Sequence, residues 1–219
     1  MNHKPYKYLF FDMDGVLVLS ENQHFKAWEQ ILKNHNLPTS WMNFNEWIGV
    51  SDTTNAQTII SKFELNTSIQ ALHHQKKQAF IQLIEEGFEK HQGRDSFLKN
   101  ASSHFKLGLV SSASKIEIEK IVTRENIAHH FEFFIGNEDV TQHKPHPMPY
   151  LHALEKANIQ SHEALVIEDS YAGISAALAA GIPVIGLETI ASIPNAIKSQ
   201  VEFYKDFNEI ENWLLTQTG

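Results

Sequence analysis

The sequence predicts an α/β fold: a sheet of parallel strands flanked by helices, with a small helical subdomain inserted near the start of the chain. A short apolar run at residues 6–11 has the length of a buried strand. From residue 106 onward, similar runs alternate with stretches of helical periodicity, which is typical of strand–helix–strand units. Between them, residues 21–84 show helical spacing with no convincing strand, so we expect a helical insert there.

Length and composition fit this class. A chain of 219 residues suits one α/β domain that carries a smaller insert. The hydrophobic fraction of 42% is sufficient for a core, and the mean hydropathy of −0.30 is that of a soluble protein. We expect no transmembrane helix, because no apolar run approaches about 18 residues. The apolar part of the opening stretch MNHKPYKYLFF is too short for a signal peptide. The chain has no cysteine, which excludes disulfides. We therefore expect a cytoplasmic protein.

The charge distribution restricts the possible partners. The formal net charge is −8, and the only arginines are Arg94 and Arg124. A nucleic-acid-binding protein needs a basic face, so we expect no such partner. A small anionic substrate stays possible, because a local site can have the opposite charge to the whole molecule.

The elements follow in order along the chain. Tyr6–Phe11 shows little alternation of apolar and polar residues, which predicts a strand buried on both faces. The later strands are predicted at Lys106–Val110, Phe131–Ile135, Ala164–Ile167 and Pro183–Leu187, and the helices between them at Lys115–Glu125, Pro149–Ala157 and Ala172–Ala180. Residues 85–95 carry two glycines and many polar groups, which predicts the linker that returns from the insert, and residues 18–20 are the predicted outgoing linker. These linkers divide the chain into a predicted core of residues 1–17 and 93–219 and an insert of residues 18–92.

Polar side chains follow the predicted strands. In open α/β sheets, ligands bind outside the carboxyl ends of the strands. The residues expected to gather at this edge are Asp12 and Asp14 after the first strand, Ser111 and Ser112 after the second, Lys144 in HKPHP, and Glu168 and Asp169 after ALVI.

These residue types together favour phosphoryl transfer. Clustered carboxylates form a hard oxygen site suited to Mg²⁺, which offsets the repulsion between a carboxylate and a phosphate. A lysine, a serine hydroxyl and the N–H groups at a helix start can hold phosphate oxygens. With the phosphate held, an aspartate can attack phosphorus and form an aspartyl phosphate.

Four motifs support this interpretation. FDMDGV, LVSSAS, KPHPMPY and VIEDSYAGISAALAAGI resemble, in order and spacing, the four motifs of the haloacid dehalogenase superfamily. The insert resembles the helical cap of its β-phosphoglucomutase-like and sugar-phosphate phosphatase branch. The resemblance covers nearly the whole chain and implies a Rossmann-like core with an inserted α-helical cap.

The resemblance also implies roles for individual residues. Asp12 becomes the nucleophile, and Asp14 the general acid and base, with its backbone carbonyl reaching the metal. Ser111 and Ser112 bind the phosphoryl group, and Lys144 steadies both that group and Asp12. The implied Mg²⁺ site comprises Asp12, Asp14, Asp169 and Glu168, the last as a ligand or as a partner of the ligands.

Each feature also has a purely structural interpretation. Asp-x-Asp-Gly is a common turn, Ser111 alone suits a helix N-cap, and Lys144 alone could be an ordinary loop lysine. Glu168 and Asp169 could simply begin a helix, where acidic residues suit the helix dipole. Position after buried strands and mutual order favour the functional interpretation. HKPHP could suggest a histidine–metal site, but the lack of cysteine and the flanking prolines argue against one.

The insert carries candidates for substrate recognition. SENQHFKAW resembles the first cap helix of the mutase-like branch and implies substrate-binding roles for Ser20 and His24; Lys76 matches a lysine that reaches the site from the cap. The alternatives are a histidine packed inside the insert and a solvated helix lysine. One departure concerns the GVSD stretch, where phosphoglucomutases carry an arginine for the distal phosphate and this chain has Asp52. No arginine occurs between Met1 and Gly93, so we expect monophosphate hydrolysis rather than mutase action.

The predicted function is therefore a Mg²⁺-dependent phosphatase that hydrolyses a small-molecule phosphate monoester, with sugar phosphates as the leading class. A β-phosphoglucomutase-type phosphomutase is one alternative. A catalytically silent member that binds a phosphometabolite or a partner protein is the other. We expect a monomer with no nucleic-acid or membrane partner.

Overall fold

A computed structural model describes residues 6–47, 50–189 and 193–217. The chain divides into two compact units, and each is described separately. The core unit comprises Met1–Leu19 and Glu89–Gly219, and the helical unit comprises Ser20–Phe88. The predicted division was at residues 17/18 and 92/93; that the two units have separate functional roles stays a prediction.

The core unit is built on a six-stranded parallel sheet of order β3-β2-β1-β4-β5-β6, as the predicted α/β fold requires. Its strands are β1 Tyr8–Phe11, β2 Lys106–Val110, β3 Phe133–Ile135, β4 Ala164–Glu168, β5 Val184–Leu187 and β6 Glu202–Tyr204. Its helices are α5 Arg94–Ala101, α6 Lys115–Arg124, α7 Met148–Ala157, α8 Tyr171–Ala179, α9 Asn195–Lys198 and α10 Phe207–Gln217. The strand β6 and the helices α5, α9 and α10 lie outside the elements predicted from the sequence.

The central strand β1 is buried on both faces, as its unbroken apolar sequence predicts. Tyr8 and Phe10 belong to the apolar cluster that includes residues of α7 and α8. Phe11 points the other way and packs against Phe97 of α5 and Phe207 of α10. Alternating side chains of this short strand thus pack against helices on both faces of the sheet.

The helical unit contains α1 Glu21–Asn34, α2 Phe44–Trp47, α3 Asp52–Phe63 and α4 Ile69–Leu83. The helix α4 packs against both α1 and α3. The interior of the helical unit is apolar and aromatic, with Trp28, Ile31, Leu32, Leu72 and Phe80 buried. The predicted helical spacing of residues 21–84 is confirmed. No helix among the described residues combines the length and apolar composition needed to cross a membrane.

The two-sided burial of β1 leads to a stability prediction. The Phe10 side chain is fully buried and its ring lies 6.0 Å from that of Phe133 on β3, whereas Phe134, the next residue of β3, is only partly buried. We expect Phe10→Ala to lower the free energy of unfolding by about 3–5 kcal/mol, because it leaves a cavity in a packed core. Denaturant titration should give a clearly smaller loss for the control Phe134→Ala; equal losses would contradict the burial argument.

Candidate active site

The register of three neighbouring strands assembles the candidate site. Phe11, the last residue of β1, pairs with Leu109 of β2 on one side and Ile167 of β4 on the other. The next residue, Asp12, donates its backbone N–H to the Ile167 carbonyl at 3.0 Å, which places its side chain beside Glu168. Three strands that are distant in sequence therefore end in polar residues at one edge.

The Lys144 ammonium lies between the two carboxylates. Its Nζ atom is 2.7 Å from Asp12 Oδ1, 2.7 Å from Glu168 Oε1 and 2.9 Å from the Val110 carbonyl oxygen. It also lies 5.0 Å from the centre of the Tyr150 ring. Burial alone would lower the pKa of Lys144, but the charges of Asp12 and Glu168 outweigh it and hold the pKa well above its ordinary value. The lysine is therefore a fixed positive charge.

One ammonium does not balance the acidic groups around it. Burial, and after it the charge of Glu168, raises the pKa of the Asp12 carboxyl to about 8, although Lys144 acts in the opposite direction. Asp14 contributes a further negative charge in the same sense. A second positive charge at this edge would favour ionised Asp12 at neutral pH.

Glu168 is held by donors on both of its oxygens. Oε1 accepts from Lys144 and from the Tyr150 hydroxyl at 3.1 Å, while Oε2 accepts from the backbone N–H groups of Asp169 and Ser170 and from the Ser170 hydroxyl. Gly173 lies so close that an added Cβ would be 1.5 Å from Glu168 Oε1. The first turn of α8 must therefore carry a residue without a side chain at this position.

The acidic residues fit a hard divalent cation. In the part of the chain that the structure describes, Asp12, Glu168 and Asp169 can each place a carboxylate oxygen within 4.8 Å of the others, and all three are buried. An added Cβ at Gly15 would lie 2.0 Å from Asp169 Oδ2, so the loop after β1 packs directly on that carboxylate. Oxygen donors of this type suit Mg²⁺. The side chain of Asp14, which was also predicted as part of the metal site, is not a member of this group. The family resemblance implies a metal contact through its backbone carbonyl, and that contact stays a prediction.

The predicted phosphate-binding residues begin the loop between β2 and α6. Ser111 is buried, and its Oγ accepts from the Ala113 N–H at 3.0 Å. Ser112 is exposed, and its carbonyl oxygen accepts from Asn137. The N-cap of α6 is Ser114, whose N–H donates to Glu117 at 2.8 Å. The alternative interpretation of Ser111 as the N-cap of this helix is therefore wrong.

The helical unit has a charged cluster of its own. Lys76 is 2% exposed, which excludes a solvated lysine, and its Nζ lies 2.8 Å from Asp52 Oδ2 and 2.6 Å from His24 Nδ1. The His24 ring stacks on Phe80 at 4.0 Å. Asp52 also accepts from the Trp28 indole N–H at 3.2 Å. Ser20 is the buried N-cap residue of α1. The substrate-binding roles of Ser20, His24 and Lys76 stay predictions.

Asp52 is ionised within this cluster. Burial would raise its pKa, but its hydrogen bond to His73 and the charge and hydrogen bond of Lys76 outweigh burial and hold the pKa below its ordinary value. The sequence marks Asp52 as an unusual residue but gives no sign that it pairs with Lys76, 24 residues away. The Tyr150 contact to Glu168 was also missed, although Tyr150 ends the motif KPHPMPY.

The parallel sheet, with a buried lysine amid carboxylates at its carboxyl edge, is the architecture of an α/β enzyme with a Rossmann-like core. The chain belongs to the haloacid dehalogenase-like hydrolases, whose family pattern matches residues 9–187. The predicted family, fold and enzyme class are thereby confirmed.

Three individual relatives share 20–28% sequence identity with this chain. The chain is 28% identical over 178 residues to a phosphorylated carbohydrates phosphatase from Thermotoga maritima, covering 80% of this chain and 81% of that protein. It is 24% identical to the fructose-1-phosphate phosphatase YqaB of Escherichia coli, over 86% of this chain and all of that one. A β-phosphoglucomutase structure from Clostridium difficile superimposes with a TM-score of 0.73 at 20% identity, covering 97% of each chain. This last likeness concerns the fold.

The burial of Lys144 leads to the next prediction. Lys144→Met leaves Asp12 and Glu168 buried without their cation, so we expect the free energy of unfolding above about pH 8, where Asp12 is ionised, to fall by about 3–5 kcal/mol. The raised pKa of Asp12 means that its ionisation opposes folding, so the loss should narrow as the pH falls below about 8 and the Asp12 carboxyl becomes protonated.

Denaturant titrations at several pH values measure this loss. Lys26→Met is the matched control, since Lys26 and its partner Glu86 are 41% and 51% exposed and such a pair contributes at most about 1 kcal/mol. Equal losses for the two variants, or a loss for Lys144→Met that grows towards acid pH, would contradict the charge argument.

Proposed function

We propose that this hydrolase is a Mg²⁺-dependent phosphatase that acts on a small phosphorylated metabolite, with sugar phosphates as the leading class, through an aspartyl phosphate. The observation that carries the proposal is the Lys144 ammonium, 2.7 Å from both Asp12 and Glu168 at the carboxyl edge of the sheet. The curated relatives named phosphatases of phosphorylated carbohydrates and of fructose 1-phosphate support the same chemistry.

The residues divide the reaction between them. Lys144 fixes the orientation of the Asp12 carboxylate, which attacks phosphorus and displaces the leaving oxygen. Asp14, two residues further on, donates a proton to that oxygen. It then accepts a proton from the water that hydrolyses the aspartyl phosphate, which releases inorganic phosphate and restores Asp12. Ser111 and the N–H groups of the loop before α6 hold phosphate oxygens.

Asp12, Asp169 and the backbone carbonyl of Asp14 would hold the Mg²⁺ ion. Glu168 fits the role of a partner better than that of a ligand, because protein donors already engage both of its oxygens. Bound there, the cation supplies the positive charge that lets an anionic carboxylate approach an anionic phosphate.

The charges of the helical unit favour the phosphatase over the phosphomutase alternative. A mutase must hold a bisphosphate in two orientations, which calls for a second strong cation site. The buried cation of the helical unit, Lys76, is already paired with Asp52 at 2.8 Å. A silent binding protein is the alternative from another class, and metal-dependent turnover separates it from both enzymes.

The first test is inorganic phosphate release from a panel of metabolite monophosphates, with Mg²⁺ and with chelator. We expect release that requires Mg²⁺, and a fall to below about one thousandth in Asp12→Asn, because the covalent step then lacks its nucleophile. Glu119→Gln, which changes an exposed acid on α6, is the matched control and should keep wild-type activity.

The outcomes separate the alternatives. Acid-stable phosphorylation of the wild type but not of Asp12→Asn supports the covalent route. Near wild-type activity in Asp12→Asn removes Asp12 from the role of nucleophile. Isomerisation of glucose 1-phosphate to glucose 6-phosphate in the presence of a trace of the bisphosphate would establish the mutase, and no metal-dependent turnover would favour the silent member.

The charge of Asp52 leads to a prediction on substrate preference. Asp52→Asn keeps the shape of the side chain and removes its charge, which leaves Lys76 without a counter-ion. We expect the ratio of kcat/KM for a sugar bisphosphate to that for its monophosphate to rise about fivefold. This factor corresponds to about 1 kcal/mol, the interaction free energy of one partly exposed charge pair. Asp52 is 31% exposed. Steady-state kinetics with both substrates measures the ratio, and an unchanged ratio would remove Asp52 from substrate selection.

A further inference from the structure

The loop that follows β1 carries both Asp12 and Asp14 and is closed by its own backbone. The N–H of Leu17 donates to the Met13 carbonyl at 2.8 Å, and the N–H of Gly15 donates to the Val18 carbonyl at 2.8 Å. Gly15 has a φ of +79°, and it lies directly after Asp14. Glycine has the least restricted backbone of any residue, so the direction of the Asp14 side chain depends on what restrains Gly15.

The restraint comes from one segment, residues 89–94, through contacts to alternate residues of the loop. The His91 Nε2 atom lies 2.9 Å from the Gly15 carbonyl oxygen. Because a carbonyl only accepts, this nitrogen carries the proton and donates. Arg94 Nη1 donates to the Leu17 carbonyl at 2.7 Å, and the N–H of Leu19 donates to the carbonyl of Glu89 at 2.8 Å.

This supporting segment is itself fixed to the core unit. The N–H of Phe207, which begins α10, donates to the Gln92 carbonyl at 3.1 Å, and the edge of the His91 ring contacts the Phe207 ring at 6.3 Å. Arg94 is 1% exposed and forms an ion pair with Glu125 at 3.0 Å. A hydrogen bond from a segment that is itself fixed in the core unit can hold the loop backbone in one position, in addition to stabilising it.

We propose that His91 is a positioning residue for Asp14: by donating to the Gly15 carbonyl, it fixes the backbone that aims the Asp14 carboxyl at the leaving oxygen. This inference rests on the proposed function. Arg94 supports the same loop, but its buried ion pair also has an evident structural role. His91 is only partly buried, so its contribution can be tested by substitution.

The test compares His91→Phe with His91→Gln in the full chain. Phenylalanine keeps a ring against Phe207 and removes the donor, whereas the glutamine Nε2 amide can donate from nearly the same position. A general acid matters most when the leaving group is a poor one, such as a sugar hydroxyl, and least for p-nitrophenolate. We expect kcat/KM of His91→Phe to fall about tenfold for a sugar phosphate and less than about twofold for p-nitrophenyl phosphate. His91→Gln should recover most of the loss.

A second measurement does not depend on activity. Hydrogen–deuterium exchange of the peptide covering residues 13–19 should quicken in His91→Phe, while the sheet strands keep wild-type protection. Equal losses for both substrates would indicate a structural role only and overturn the proposal, as would unchanged exchange of the loop. If the wild type hydrolyses neither substrate, the proposed phosphatase function fails, and the exchange measurement alone decides whether His91 holds the loop.

Discussion

The ammonium of Lys144, buried between the carboxylates of Asp12 and Glu168, makes the acidic edge of the sheet possible. Removing a carboxylate from water costs several kcal/mol, and this site buries three of them at adjacent strand ends. The lysine offsets part of that cost through two contacts of 2.7 Å. The negative charge that remains uncompensated is what suits this edge of the sheet to a divalent cation.

The neighbouring elements hold these charged groups in place. The parallel register brings Asp12 beside Glu168 without any long side chain having to span the sheet. Tyr150 and the first turn of α8 satisfy the oxygens of Glu168, and Gly173 provides the close approach that this requires. Stability and reactivity thus draw on the same few hydrogen bonds.

Local sequence predicted most of the strands and several of the helices, but it missed α5, α9 and α10. The strand Lys106–Val110 is found at its predicted bounds, and Phe131–Ile135 is shorter by two residues at its start. The strand β6 escaped prediction because three residues, Glu202–Tyr204, give too short a pattern to distinguish from a turn. The acidic and basic site residues were also predictable, because the carboxyl ends of parallel strands must share an edge.

The contacts that escaped prediction join residues far apart in sequence through packing. Asp52 meets Lys76 only because α3 and α4 lie side by side, and His91 meets Gly15 only because the segment after the helical unit returns beside the loop after β1. No short pattern in a single sequence encodes such a pairing.

The two buried lysines show how charge balance differs between the units. Lys144 contacts two carboxylates, with Asp169 nearby, so its surroundings keep a negative charge and suit a cation. Lys76 contacts one carboxylate, that of Asp52, so this pair balances one positive charge with one negative charge. Acidic residues outnumber lysines and arginines in this chain, with 26 against 18, so cations are the scarcer charge. Lys76 is thus balanced by a carboxylate of its own unit, whereas Lys144 is outnumbered by the carboxylates around it. This difference explains why the edge of the sheet, rather than the cluster in the helical unit, suits a divalent cation.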